Sequence, residues 1–280
     1  MATGVLAGRR ARGAMLVVGA VTSLQFGAGF AVTLFDEVGP AGAALLRVAF
    51  ASAILLALWR PRIRGHPPAD LRVAALFGLS LGLMNWAIYS AMDRIPLGIA
   101  VTIEFLGPLG VAVAGSRRAL DLVWVALAAA GILLLAQPGG SLDAAGAAYA
   151  LTAAALWAAY IVLSARTGRL FGGGSGLALA MAVGAVAVLP LGVAQAGAAL
   201  LEPDLLAAGA ALALVSSVIP YSLELEALRR LPTRVFGVLM ALEPAVAALA
   251  GFVVLGQDLG AAEWAAIALV VVAGAGATAR

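Results

Sequence analysis

The 280-residue chain has no cysteine, no lysine, a single histidine and little charge of either sign, Asp, Glu, Lys and Arg together making up 11%. Without cysteine there is no disulfide framework, thiolate metal site or cysteine nucleophile. The lone His66 falls in an Arg/Pro-rich stretch and is expected to be solvated, so no metal, cofactor or catalytic site is expected. Globular proteins carry roughly 25% charged residues, and a chain so poor in them cannot cover a soluble surface. What is present agrees: 64% of residues are hydrophobic and mean hydropathy is +1.07. These values specify an integral membrane protein and exclude a disordered or soluble secreted one. The net charge of +3 would suit a nucleic-acid binder, but the arginines lie in short gaps between apolar runs. The expected partner is therefore the lipid bilayer, not nucleic acid. All 17 basic residues are arginine, which together with the Ala/Gly excess reflects composition bias and not mechanism.

A bilayer-spanning helix needs about 20 mostly apolar residues. Such stretches fall at 13–34, 40–59, 71–92, 96–115, 119–136, 142–165, 175–197, 204–228, 232–256 and 260–279, an all-α membrane protein of ten spans. Breakers separate them: Gly39-Pro40, Pro61, Pro67-Pro68, Pro138-Gly139-Gly140, Gly172-Gly173-Gly174 and Pro203. The first stretch follows Arg9, Arg10 and Arg12 and is longer than the 7–15-residue core of a signal peptide, so it is expected to be a retained helix. With both termini inside, cytoplasmic segments hold 15 arginines (9, 10, 12, 60, 62, 64, 72, 117, 118, 166, 169, 229, 230, 234 and 280) and the outer side only Arg94. Asp36, Glu37, Asp143, Glu202, Asp204 and Asp258 fall outside. By the positive-inside rule this asymmetry predicts a multi-pass cytoplasmic-membrane protein with N- and C-termini in the cytoplasm.

Shifting the chain by 136 positions aligns Ala91–Gly115 with Ala227–Gly251, with eight identities in 25, including Arg94/Arg230, Pro96/Pro232 and Pro108/Pro244. About three identities are expected from composition when matches are counted. Trp124 and Trp264 then align after a four-residue insertion. The repeat predicts two five-helix units, 1–136 and 137–280. An odd number of helices inverts the second unit relative to the first, the architecture typical of secondary transporters.

Three ionisable residues fall deep within spans: Arg47 in the second, Glu104 in the fourth and Glu243 in the ninth. Each costs about 2.5–3.5 kcal/mol at the bilayer centre, so they must face a polar cavity or one another. Glu243 aligns with Gly107, one helical turn from Glu104, whereas Arg47 has no charged counterpart in the second half and is not duplicated. One reading is a static Arg–Glu cross-link. The other is a polarised cavity for a zwitterion, a carboxylate receiving the ammonium and the guanidinium forking onto the carboxylate. Glu104 and Glu243 are then also candidates for proton exchange that couples transport to the proton gradient. Pro108 and Pro244 each leave the carbonyl four residues earlier without its donor, that of Glu104 in the case of Pro108. Such backbone is tolerated at midplane where it lines protein or water. Pro190 and Pro220 are expected to bend their own helices.

Gly78, Gly82, Asn85 and Tyr89 share one face of the third span, and Ser217, Tyr221 and Glu224 line up in the eighth. Gln25 in the first span and Trp157 and Tyr160 in the sixth are further wall candidates, with interfacial anchoring the alternative for the aromatics. Glu226 is expected to pair on the surface with Arg229 and Arg230.

The segments PLGIAVTIEFLGPLG (96–110), GLSLGLMNWAIY (78–89), SRR (116–118), VWV (123–125), IPYSLE (219–224) and LPTRVFGVLMALEP (231–244) resemble the drug/metabolite transporter superfamily in its EamA-type ten-helix branch. More closely they are similar to inner-membrane threonine/homoserine exporters. The resemblance covers nearly the whole chain. It implies amino-acid efflux driven by the proton gradient, with Gln25, Arg47, Asn85, Tyr89, Glu104, Tyr221, Glu224 and Glu243 as site residues. Export of another metabolite or of a hydrophobic drug is the rival reading, and a cationic drug would need only carboxylates and aromatics, which makes Arg47 the discriminating residue. A membrane-embedded enzyme and a channel are more distant alternatives.

Overall fold

A computed structural model of the chain describes residues 2–114, 121–135 and 143–278. Among these residues ten helices follow one another in the expected order. They are α1 (Ala2–Val32), α2 (Phe35–Trp59), α3 (Pro68–Met92), α4 (Leu97–Glu104 continued by Leu106–Ala114), α5 (Asp121–Leu135), α6 (Ala144–Leu170), α7 (Ser175–Ala196), α8 (Pro203–Ala213, a π turn Leu214–Val218, then Ile219–Leu228), α9 (Thr233–Met240 continued by Glu243–Leu255) and α10 (Ala261–Thr278). Eight are long and apolar enough to cross a membrane, and the apolar stretches in α5 and α10, Leu122–Leu135 and Ala261–Ala277, are shorter. The chain is a multi-pass helical membrane protein.

Two boundaries differ from the sequence expectation. Helix α1 begins eleven residues before the expected start at 13, because nothing in Ala2–Arg12 breaks a helix although the arginines exclude it from hydrocarbon. A turn of helix at 35–38 precedes the expected start of the second span at 40, and Gly39-Pro40 breaks it from the rest as expected. Gly39 takes a left-handed φ of +66°, kinking the chain between the turn that starts at Phe35 and the straight helix beyond Pro40. The signals Arg117, Arg118, Pro138-Gly139-Gly140 and Arg280 lie outside the described residues, as do the side chains of Arg9, Arg10 and Arg234.

The helices alternate in direction, leaving two unlike faces. One, the loop face, carries the connections at 33–34, 93–96, 197–202 and 256–260. The other, the terminus face, carries those at 60–67, 171–174 and 229–232 and the outer ends of α1 and α10. On the loop face a single apolar core gathers buried side chains from all ten helices, among them Ala31, Leu46, Met92, Ile99, Leu135, Ala150, Val188, Leu205, Ala247 and Ala266. Towards the terminus face the core divides. Val48, Leu55, Phe77 and Met181 form one cluster, Val17, Val21, Ala227 and Leu231 a second, Phe105, Ala241 and Val270 a third, and Leu109, Ala128 and Ala273 a fourth.

Small residues set the closest helix approaches. A Cβ on Gly78 or Gly82 would strike the α7 backbone at Ala180 or Gly184, so the small half of the α3 stripe is spent on packing. Helix α3 packs mainly on α6 and α7, α1 on α8 and α9, α2 on α7, and α5 on α10.

Candidate functional site

Three helices lose regular hydrogen bonding at mid-depth. Helix α4 breaks at Phe105, next to Glu104; α9 breaks at Ala241 and Leu242, next to Glu243; α8 loosens into the π turn just before Pro220. In each case a proline within a few residues withholds the amide that a continuous helix requires. Pro220 leaves the carbonyls of Val215 and Ser216 without a helical donor, and both are satisfied from other helices. Ser23 of α1 donates to Val215 O at 2.7 Å, and Arg47 Nη2 of α2 donates to Ser216 O at 2.7 Å. Expected to bend its helix, Pro220 also creates the acceptor that holds the buried arginine.

Arg47 is 6% exposed. Its Nε donates to Ser217 Oγ at 3.2 Å and its Nη1 to the Tyr89 hydroxyl at 3.2 Å. Three of five guanidinium N–H groups are thereby engaged, and one on each Nη remains. Among the described residues no carboxylate lies within ion-pairing distance of Arg47; the ion pairs are Arg94–Asp143, Arg229–Glu226 and Arg230–Glu226. The static Arg–Glu cross-link, one of two readings the sequence allowed, is absent.

One cavity of about 540 Å³ lies between the helices, and all ten expected site residues line it: Gln25, Arg47, Asn85, Tyr89, Glu104, Trp157, Tyr160, Tyr221, Glu224 and Glu243. Glu104 and Glu243, 8% and 1% exposed, approach from the breaks of α4 and α9. Glu243 Oε1 and Gln25 Oε1 are buried with no hydrogen-bond partner. Asn85 turns its amide back onto Leu81 O at 2.8 Å, leaving its carbonyl oxygen available. Aromatic edges order the wall, with Trp157 T-shaped on Phe105 and Tyr160 tilted on Phe77. The apolar lining includes Met84, Met92 and Met240, flexible side chains that adapt to a small ligand.

Ser23 and Ser216 were not among the residues the sequence singled out. The available signal was Pro220, whose missing amide requires donors from elsewhere. Outside the cavity, Glu226 pairs with Arg229 and Arg230 as expected, and the Arg230 hydrogen bond, with that of Arg229, holds its carboxyl below the usual carboxylate range. His66 is not simply solvated, since its ring stacks 4.4 Å from that of Phe171.

Over 264 residues the chain is 43% identical to the threonine/homoserine exporter RhtA of Salmonella typhimurium strain SL1344, covering 92% of this chain and 88% of that protein. It is 42% identical over 269 residues to the protein of the same name from Escherichia coli K12, covering 94% and 90%. Residues 144–278 match the model of the EamA-like transporter family.

The chain belongs to the EamA-like transporter family.

A solved crystal structure shares the fold of this EamA-like chain, with a TM-score of 0.61 at 21% identity over 95% of this chain and 96% of the other. The EamA-like family lies within the drug/metabolite transporter superfamily, as the sequence motifs implied.

Proposed function

We propose that this protein is a secondary transporter that exports threonine, homoserine or similarly small neutral amino acids by alternating access, coupled to the proton gradient. The observation that carries this reading is a guanidinium with two uncommitted N–H groups in the same cavity as three glutamates, none of them paired to it. A zwitterion needs both signs of charge held apart. Arg47 receives the substrate carboxylate through forked hydrogen bonds, and a cavity glutamate receives the ammonium. A static cross-link would have consumed both partners. The curated exporters similar to this chain carry threonine and homoserine in their names, which supports the substrate class. Glu104 and Glu243 are the candidates for proton exchange.

Two inverted halves, 1–136 and 137–280, form the moving parts. Supporting this, the packing is self-consistent under exchange of the halves: α1 rests on α8 as α3 rests on α6, while α2 with α7, α4 with α9 and α5 with α10 pair with their own counterparts. With the arginine-rich terminus face in the cytoplasm, the divided core supports reading the cavity as inward-open in an inner-membrane protein.

The test is flux of labelled threonine and homoserine in proteoliposomes under an imposed pH gradient. Arg47→Ala is expected to abolish threonine transport, and one of Glu104→Gln or Glu243→Gln to transport without response to the gradient. Undiminished threonine flux in Arg47→Ala, with export of a hydrophobic cation instead, would sink the zwitterion reading. Gradient-independent flux in the intact protein would remove proton coupling.

A further inference from the structure

Two glutamines that the sequence reading passed over make equivalent-looking contacts on the loop face. Gln195, at the end of α7, accepts from Ala41 N of α2 at 2.7 Å, and Gln257, just after α9, accepts from Leu97 N of α4 at 3.0 Å. Each side-chain oxygen caps the first turn of a helix in the opposite half, where free amides need a partner. The helix pairs that they join are nevertheless different.

Helices α2 and α7 stay together at both ends. On the loop face, Gly39 and Gly42 of α2 lie so close to Gln195 and Ala196 of α7 that an added Cβ would clash. On the terminus face, the Trp59 ring at the end of α2 covers Gly173 and Gly174 at the start of α7 as closely. The offset of 136 that superposes the halves sets Trp59 on Gln195, so the same position clasps each end of this pair.

Helices α4 and α9 meet only at one end. The Leu97–Glu104 segment packs on Glu243–Leu255, with Gly98 against the Ala248 backbone. Past the two breaks the segments part. Leu106–Ala114 turns to α6, α5 and α10, Thr233–Met240 to α1 and α10, and the cavity lies between them, lined by Pro108 and Leu109 on one side and Phe236, Gly237 and Met240 on the other.

We propose that Gln257 is the latch of a gate formed by α4 and α9, closed on the loop face in this structure, while Gln195 belongs to a hinge along α2 and α7 that does not open. This rests on the alternating-access reading above. The local geometry suits a latch. Gly256, in the left-handed region at φ +64°, ends α9, and the amide of Gln257 turns back onto Gly251 O at 3.1 Å, which aims the side chain outward at α4. Leu97 N is the first amide of α4 and has no intrahelical acceptor, so it depends on a partner from elsewhere. At a partly exposed surface water replaces that partner when the gate opens. The bond therefore biases the closed state without fixing it.

The absence of cysteine makes the test direct. In oriented membrane vesicles, Ile88→Cys places one thiol in the roof of the cavity, and a membrane-impermeant maleimide is added from either face. The latch predicts that adding Gln257→Leu raises labelling from the loop face by about three- to tenfold, the equilibrium equivalent of one hydrogen bond. Gln257→Glu, which retains the accepting oxygen, and Gln195→Leu should leave labelling at the Ile88→Cys level. Unchanged labelling in Gln257→Leu, or an equal rise in Gln195→Leu, overturns the assignment. If Ile88→Cys alone is labelled from one face only while threonine is still transported, alternating access itself fails, and that outcome is distinct from the other two.

Discussion

The two segments of α4 are built from similar residues and meet opposite fates. Leu97–Glu104 is wholly buried in the ten-helix core of the loop face, while Leu106–Ala114 borders the cavity and keeps only Gly107 and Leu109 buried. Their glycines show what each one faces. A Cβ on Gly98 would come within 2.7 Å of Ala248 Cα of α9, whereas in the second segment a Cβ on Gly107 would strike the Ala154 backbone of α6 and one on the exposed Gly110 meets nothing within 4 Å. Composition did not make one end of α4 a seal and the other a wall. What lies across from each end did.

Gly98→Ala should break the contrast most severely. One methyl group pressed into the α9 backbone is expected to cost about 1–3 kcal/mol of stability. Thermal unfolding in detergent would detect this, together with greater access to the cavity from the loop face; an unchanged melting temperature would mean that α4 and α9 are not in backbone contact. A smaller effect is expected from Pro220→Ala, which returns an amide to the carbonyls now held by Ser23 and Arg47. Competition for Ser216 O loosens the guanidinium, and KM for threonine should rise about threefold while the protein remains folded. A KM equal to that of the intact protein would dissociate the π turn from the site. The smallest effect is expected at Gly110→Ala, where gained helix propensity can add up to about 1 kcal/mol and nothing is lost on the terminus side. Destabilisation there would show that this exposed position is packed after all.

Much of this was legible in one dimension. Span lengths follow from hydropathy, because each bilayer-crossing helix satisfies its own backbone and its existence is a local property. The cavity residues were legible too: a polar side chain in an apolar run, such as Asn85 or Glu243, has few places to go except inward. Less accessible were the partners. Arg47 and Glu104 looked like a pair because opposite charges in hydrocarbon attract. Yet the guanidinium is bound by a serine hydroxyl, a tyrosine and a carbonyl that Pro220 released 169 residues away. Gln257 lies in a loop, where a glutamine is unremarkable until α4 is seen to arrive beneath it.

By itself, the order of residues determined how many helices form, which are broken by proline, and which carry charge to mid-depth, since each of these depends on neighbours along the chain. Which carbonyl receives the arginine, which face is sealed and which glutamine is placed to hold it shut were decided only by tertiary packing. Those outcomes turn on approaches of a few ångströms between helices far apart in sequence, and such distances exist only once the bundle has assembled.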